Sequence, residues 1–116
     1  MDSALDRMVL ARIKGVKAAP ARPFLGPAPE YPKDLNRKRV DGNATIAFVI
    51  DVRGVVGAPS VVSASLPEFG ESALAAIRLW RFVPGVKDGQ PVESRAEMPF
   101  EFISPNNNQR GTVSDR

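Results

Sequence analysis

The sequence predicts an α+β fold built on a three-stranded antiparallel sheet, and three observations lead to it. Residues 44–52 alternate between two fairly apolar faces, Asp51-Val52-Arg53-Gly54 is a turn signal, and residues 55–64, interrupted by Gly57 and Pro59, read as the return strand of a β-hairpin. Residues 65–81 change to helical spacing, and residues 92–103 return to alternation with one apolar and one wet face. The third observation is where proline falls. Proline has no N–H to give a ladder, so it is confined to edges and bulges. Pro59 lies in the second run and Pro99 in the third, while the first has none. The first strand is therefore central, the order is 2-1-3, and the helix between the second and third strands crosses one face.

Each element has its own signal. Residues 3–17 read as a helix capped by Ser3 with Asp6 three positions on. Leu5, Met8, Val9, Ile13 and Val16 form its apolar stripe, and Arg7, Arg12, Lys14 and Lys17 take the other faces. Such a helix serves as a leader or docks on the domain; a basic amphipathic helix for a membrane or partner is the sharper alternative. Residues 18–32 hold five prolines, so the segment runs extended as a linker or as a strap pinned by Phe24, Leu25 and Tyr31. Pro32 starts a short helix over 33–39, with Leu35 and Val40 inward, and Asp41-Gly42 ends it.

In the first strand Ile46, Phe48, Ile50 and Val52 share a face, and Gly54 sits where the turn needs a positive φ. Ser65-Leu66-Pro67-Glu68 reads as a capping box with proline in the first turn. The helix is expected to reach Arg81, burying Phe69, Ala73, Ile77 and Trp80, until Pro84-Gly85 stops it. Arg78 and Arg81 are expected in solvent. Asp88-Gly89 marks another turn. In the last strand Val92, Ser94, Ala96, Met98, Phe100 and Phe102 face inward, whereas Glu93, Arg95, Glu97, Pro99 and Glu101 face water. Residues 105–116 have no apolar pattern and are expected to be disordered. The domain organisation is thus a helix or leader over 1–17, a Pro-rich linker over 18–29, a folded domain over 30–104, and a tail.

Composition removes several classes of function. The 116 residues include neither Cys nor His. That rules out disulfide scaffolds, thiolate zinc sites and hydrolases that need an imidazole base. There is no Gly-rich phosphate loop, so an enzyme is not expected, nor a cofactor. The acidic pair Glu68 and Glu71 suits the start of a helix better than a metal. Residues 1–41 carry nine basic and five acidic side chains, and residues 42–116 seven and eight. The folded part is near neutral, which speaks against nucleic acid. No apolar run approaches the roughly 20 residues of a membrane span, and the N-terminus lacks a signal-peptide core. The expectation is a cytoplasmic protein, or a piece of a longer exported or anchored chain.

One further pattern runs from Glu30 to Phe102. It comprises Tyr31-Pro32, Gly42, Ile46-Ala47-Phe48-Val49-Ile50-Asp51 with Gly54, and Pro59. It continues through Trp80-Arg81-Phe82-Val83-Pro84-Gly85, Gly89-Gln90-Pro91-Val92 and Pro99-Phe100-Glu101-Phe102. In this order and spacing it resembles the C-terminal domain of TonB, the periplasmic energy transducer of Gram-negative bacteria. The resemblance implies two helices on one face of the three-stranded sheet. It also implies that a short peptide, the TonB box of an outer-membrane transporter, adds as a strand beside the last strand. The residues implied to receive it are Val92, Glu93, Ser94, Arg95, Ala96, Glu97, Met98, Phe100, Glu101 and Phe102, with Tyr31 and Pro32 alongside. Family members carry an inner-membrane anchor driven by a proton-powered motor, so the implied location is the periplasm. No anchor precedes the motif here, and the proline stretch is too short to cross a periplasm, so a domain excised from an anchored protein or a soluble variant is expected. Two alternatives stay open: a module that dimerises through the same edge, and an accessory domain of another membrane protein.

Overall fold

The computed structural model describes residues 3–105. In chain order the elements are α1 (Ala4–Ala11), β1 (Arg22–Leu25), a 3₁₀ helix (Lys33–Lys38), β2 (Gly42–Ile50), β3 (Val56–Ala64), α2 (Pro67–Ile77), β4 (Arg81–Val83), β5 (Gly85–Lys87), β6 (Gln90–Val92) and β7 (Ser94–Phe102). The three long strands form one antiparallel sheet in the order β3-β2-β7, so the proline-free strand is central. Two further pairs, β1-β4 and β5-β6, make small ribbons beside it.

The two flanks of β2 differ. Its ladder with β7 runs unbroken from Gly42↔Phe102 to Ile50↔Ser94. Its ladder with β3 shifts register twice, between Thr45 and Ile46 and between Ala47 and Val49. Pro59 lies within the second irregularity, next to Ala58 at φ 49°. A bulge absorbs a residue that cannot donate and a backbone bent out of the β region.

One face of β2 builds the core. Ala44, Ile46, Phe48 and Ile50 are buried against Phe69, Ala73 and Ile77 of α2. Phe69 stacks on Phe102 at 4.7 Å, and Trp80 bridges Phe82 and Phe100 at 5.9 and 5.7 Å. Truncating a buried ring of this kind costs about 3–5 kcal/mol, more than any cap or surface ion pair here can supply.

The start of α2 departs from its sequence signal. Leu66, not Ser65, is the N-cap, and no side chain caps the helix. Ser65 Oγ instead accepts the Asn43 N–H at 3.0 Å and donates to the Asn43 carbonyl at 3.3 Å, while Ser65 N–H donates to that carbonyl at 2.9 Å. The serine is spent on β2, and proline within the first turn removes one of the N–H groups a cap would serve. The helix also ends at Ile77, four residues before Arg81. Leu79 and Trp80 close it with bonds to carbonyls three residues back, and Arg81 enters β4.

Arg81 is not in solvent; it is 9% exposed. Its Nη2 donates to Asp6 Oδ1 at 2.5 Å and to the Arg53 carbonyl at 2.9 Å, and its Nε donates to the same carbonyl at 3.1 Å. Asp6 also closes the cap of α1: Ser3 Oγ accepts the Asp6 N–H at 3.1 Å, and Asp6 Oδ2 accepts the Ser3 N–H at 3.3 Å. The N-terminal helix therefore forms as its cap predicted, but only over Ala4–Ala11. Turns follow it to Gly15 at φ 78°.

The Pro-rich segment lies against the domain. β1 pairs with β4, Ala19 and Val86 exchange two backbone bonds, and Gly89 N–H donates to the Lys17 carbonyl at 2.9 Å. Arg12 lies 5.0 Å over the Phe24 ring. Trp80 Nε1 donates to the Pro27 carbonyl at 2.8 Å, and Ser72 Oγ donates to that of Glu30. Gly42 does not end a helix; it opens β2, where a Cβ would meet the Phe69 ring at 2.3 Å. The tail expected to be disordered lies, from residue 106 on, outside the described residues.

Two outcomes follow from these contacts. Gly54 adopts φ 85°, and an added Cβ would stand 1.9 Å from the Phe82 carbonyl oxygen. Gly54→Ala should lower stability by about 2 kcal/mol or more, read as a lower denaturation midpoint at unchanged m. The Asp6 carboxyl is held below its ordinary value of 3.8, first by the Arg81 hydrogen bond and then by the Ser3 N–H. A carboxylate lowered in this way contributes stability that is complete above its unfolded value and is lost as pH falls through the folded one. Amide exchange measured downward from about pH 5 should show residues 4–11 losing protection before residues 44–50 do.

Candidate functional site

The backbone of β7 faces two ways, and Asn43 fixes which residues face outward. In an antiparallel strand each residue points its N–H and C=O to the same side, and successive residues alternate. Asn43 gives both groups to Ser65, on the β3 side. Gly42, Ala44, Ile46, Phe48 and Ile50 consequently turn theirs to β7, where their partners are Phe102, Phe100, Met98, Ala96 and Ser94. The main-chain groups of Arg95, Glu97, Pro99 and Glu101 are left on the outer side. Among the described residues no strand lies beyond β7.

This phase resolves the difficulty that proline poses. Pro99 pairs with Thr45 at a position that needs no N–H toward β2, so the missing donor falls on the open side. The open edge accordingly offers the N–H groups of Arg95, Glu97 and Glu101 and the carbonyls of all four outward residues. The side chains follow the same alternation. Arg95, Glu97, Pro99 and Glu101 are exposed, Ser94, Ala96 and Met98 are half-buried, and Phe100 and Phe102 are buried. The wet flank of this edge carries three carboxylates, Glu93, Glu97 and Glu101, against one guanidinium, Arg95. The opposite edge of the sheet is broken by the β3 bulges, Pro59 and the positive φ of Ala58. The sheet thus has one blunted edge and one continuous edge.

The sequence-predicted residues divide among three places. Ser94 through Phe102 form β7, as expected. Val92 belongs instead to β6, paired with Gly85, and Glu93 is the break between β6 and β7, so the strand begins two residues later than its alternation suggested. Alternation runs through both segments, and only the β5-β6 pairing separates them. Tyr31 is turned inward: its hydroxyl donates to the carbonyls of Leu35, at 3.2 Å, and Val40. Its ring meets Phe69 edge-on at 5.9 Å, and Phe69 stacks on Phe102, so one ring separates Tyr31 from the end of β7. Pro32 accepts the Leu35 N–H at 3.1 Å. Sequence reasoning missed Ser65 as the group that sets the ladder's phase, because Pro67 beside it made it look like a cap. Among the described residues no group of three or more carboxylates is placed to hold a metal.

The structure is a two-layer α+β domain whose sheet has one blunted edge and one open edge that exposes main-chain donors and acceptors. Residues 27–103 match the family model of the Gram-negative bacterial TonB protein C-terminal, and the chain belongs to that family. It is 32% identical over 75 residues to Protein TonB of Vibrio cholerae serotype O1, a stretch covering 64% of this chain and 31% of that one. The match thus spans about a third of that relative's length. The fold is similar to the solution NMR structure of the Pseudomonas aeruginosa TonB C-terminal domain, with a TM-score of 0.62 and 24% identity over 75% of this chain and 89% of that one.

The phase of β7 has a direct check. Since Pro99 spends no ladder bond, Pro99→Ala should change stability by less than about 1 kcal/mol. Its new amide should exchange rapidly with solvent, while those of Met98 and Phe100 stay protected.

Proposed function

We propose that the open edge of β7 receives an extended peptide by strand addition, and that this peptide is the TonB box of an outer-membrane transporter. The observation that carries the reading is the unbroken β2-β7 register, which leaves a straight row of main-chain donors and acceptors from Arg95 to Glu101. The family match supports it. In this reading the domain works in the periplasm, as the far end of a transducer anchored in the inner membrane and driven by a proton-powered motor.

The energetics suit a contact that forms and breaks. Each main-chain bond is worth about 1 kcal/mol net, and association costs at least about 4 kcal/mol before any contact is made. A micromolar complex, roughly −8 kcal/mol, therefore needs side-chain help. The buried side chains of β7 offer none, because Phe100 and Phe102 face the core. Help comes from the wet flank, where the excess of carboxylates favours a peptide with a basic residue. Tension along the strand direction would load the edge bonds together, which suits a mechanical link.

A backbone-amide NMR titration with TonB-box peptides tests this, with Glu97→Pro as the control. Proline at 97, like Pro99, leaves the β2 ladder intact and deletes an outward donor. Shifts should cluster on residues 94–102, and Glu97→Pro should weaken binding by about tenfold. Saturable binding that leaves 94–102 unmoved would overturn the reading. Movement of the same residues with protein concentration alone would instead assign the edge to pairing between copies.

A further inference from the structure

Two surfaces away from β7 match each other. The first is the outer face of α1. Its inner face is closed by Val9 and by the Asp6–Arg81 pair. On the outer face Arg7, Leu10 and Ala11 are exposed at steps of three and one, and Lys14 follows one turn on. Leu10, 41% exposed, and Ala11 lie between Arg7 and Lys14, so this face is apolar at its centre and basic at its ends.

The second is a groove of about 670 Å³ between α2 and the Pro-rich strap. Its apolar lining includes Pro27, Pro29, Ala75 and Leu79, and Leu79 is the most exposed of the large apolar side chains described, at 68%. Glu68 and Glu71 line it from α2, and Glu30 and Asp34 from the other side, against Lys33 as the one cation in the lining. The groove is therefore a negative patch on a chain whose net charge is +3.

We infer that a second copy of this chain docks the outer face of its α1 into this groove. Leu10 and Ala11 would cover Leu79 and the strap prolines, and Arg7 and Lys14 would meet Glu68, Glu71 and Glu30. Burial of the apolar centre supplies the affinity, and the charges select the orientation. The contact is heterologous, since α1 meets a surface unlike itself, so it closes into a reciprocal pair or extends head to tail. It leaves β7 open, so it stands or falls separately from peptide binding.

Sedimentation of the full chain at about 0.02 M and about 0.5 M salt tests it. Two charge-reversed variants are compared, Glu30→Lys with Glu71→Lys in the groove and Arg7→Glu with Lys14→Glu on α1. All four positions are exposed, and thermal unfolding checks that each variant folds. At low salt the mass should rise above 12.5 kDa with concentration, and it should fall back at high salt. Each variant alone should associate about tenfold more weakly, and an equimolar mixture of the two should associate again. A chain that stays at 12.5 kDa in both salts, a mixture that does not associate, or association that neither reversal weakens would overturn the inference. In the last case Glu97→Pro would show whether β7 pairs with itself.

Discussion

The ladder between β2 and β7 is the constraint on which the other features depend. It is pinned at one end by Ser65, which takes both main-chain groups of Asn43, and by Asp41, whose carboxylate accepts the Ser104 N–H at 2.8 Å. From that end the register runs unbroken to Ile50↔Ser94. A slip of one residue would turn Phe100 and Phe102 to water and bring Pro99 round to face β2, where a bond would be lost. The fold therefore defends a single phase. That phase puts the aromatic side chains under α2 and the outward amides on an open edge at once. Core and interaction surface are two consequences of the same alternation.

The same economy explains how an open edge is tolerated. A sheet of three strands has two edges, and an unprotected edge invites unwanted partners. β3 is blunted by two register shifts and a proline. β7 stays straight, but its proline falls on the open side, and its flank carries charges of mostly one sign. The edge is thus selective without being closed: a strand that pairs there must accept a gap at Pro99 and a carboxylate-rich flank.

Residues 3–30 are bound to the domain at several independent points. Arg81 joins α1 to the Arg53 turn, β1 lies along β4, and Trp80 holds the strap through Pro27. None of these contacts is large. Together they cover the end of α2 and set the strap beside it, which creates the groove lined by Leu79 and the four carboxylates. A segment that composition leaves as a linker or a strap is, in its folded setting, one wall of a surface feature.

What the sequence determined by itself is what local spacing encodes. Period-two alternation identified β2 and β7, the turn at Gly54 identified β3 as the return strand, and helical spacing identified α2. The absence of proline from one strand placed it in the centre, because a missing N–H is a property of the residue and not of its surroundings. The inward and outward faces of β7 were legible for the same reason. Tertiary structure alone decided where residues went whose partners are remote. Arg81 looked solvated because Asp6 stands 75 positions away. Ser65 looked like a cap because its true partner, Asn43, is 22 positions back. α2 looked longer than it is because β4 competes for its last turn, and residues 18–32 read equally as a linker or a strap because a strand with Pro23 pairs only where a neighbour supplies the ladder. Periodicity reports what a segment does with its own neighbours; the burial of a charge, or the choice between two acceptors, is settled only when distant parts of the chain meet.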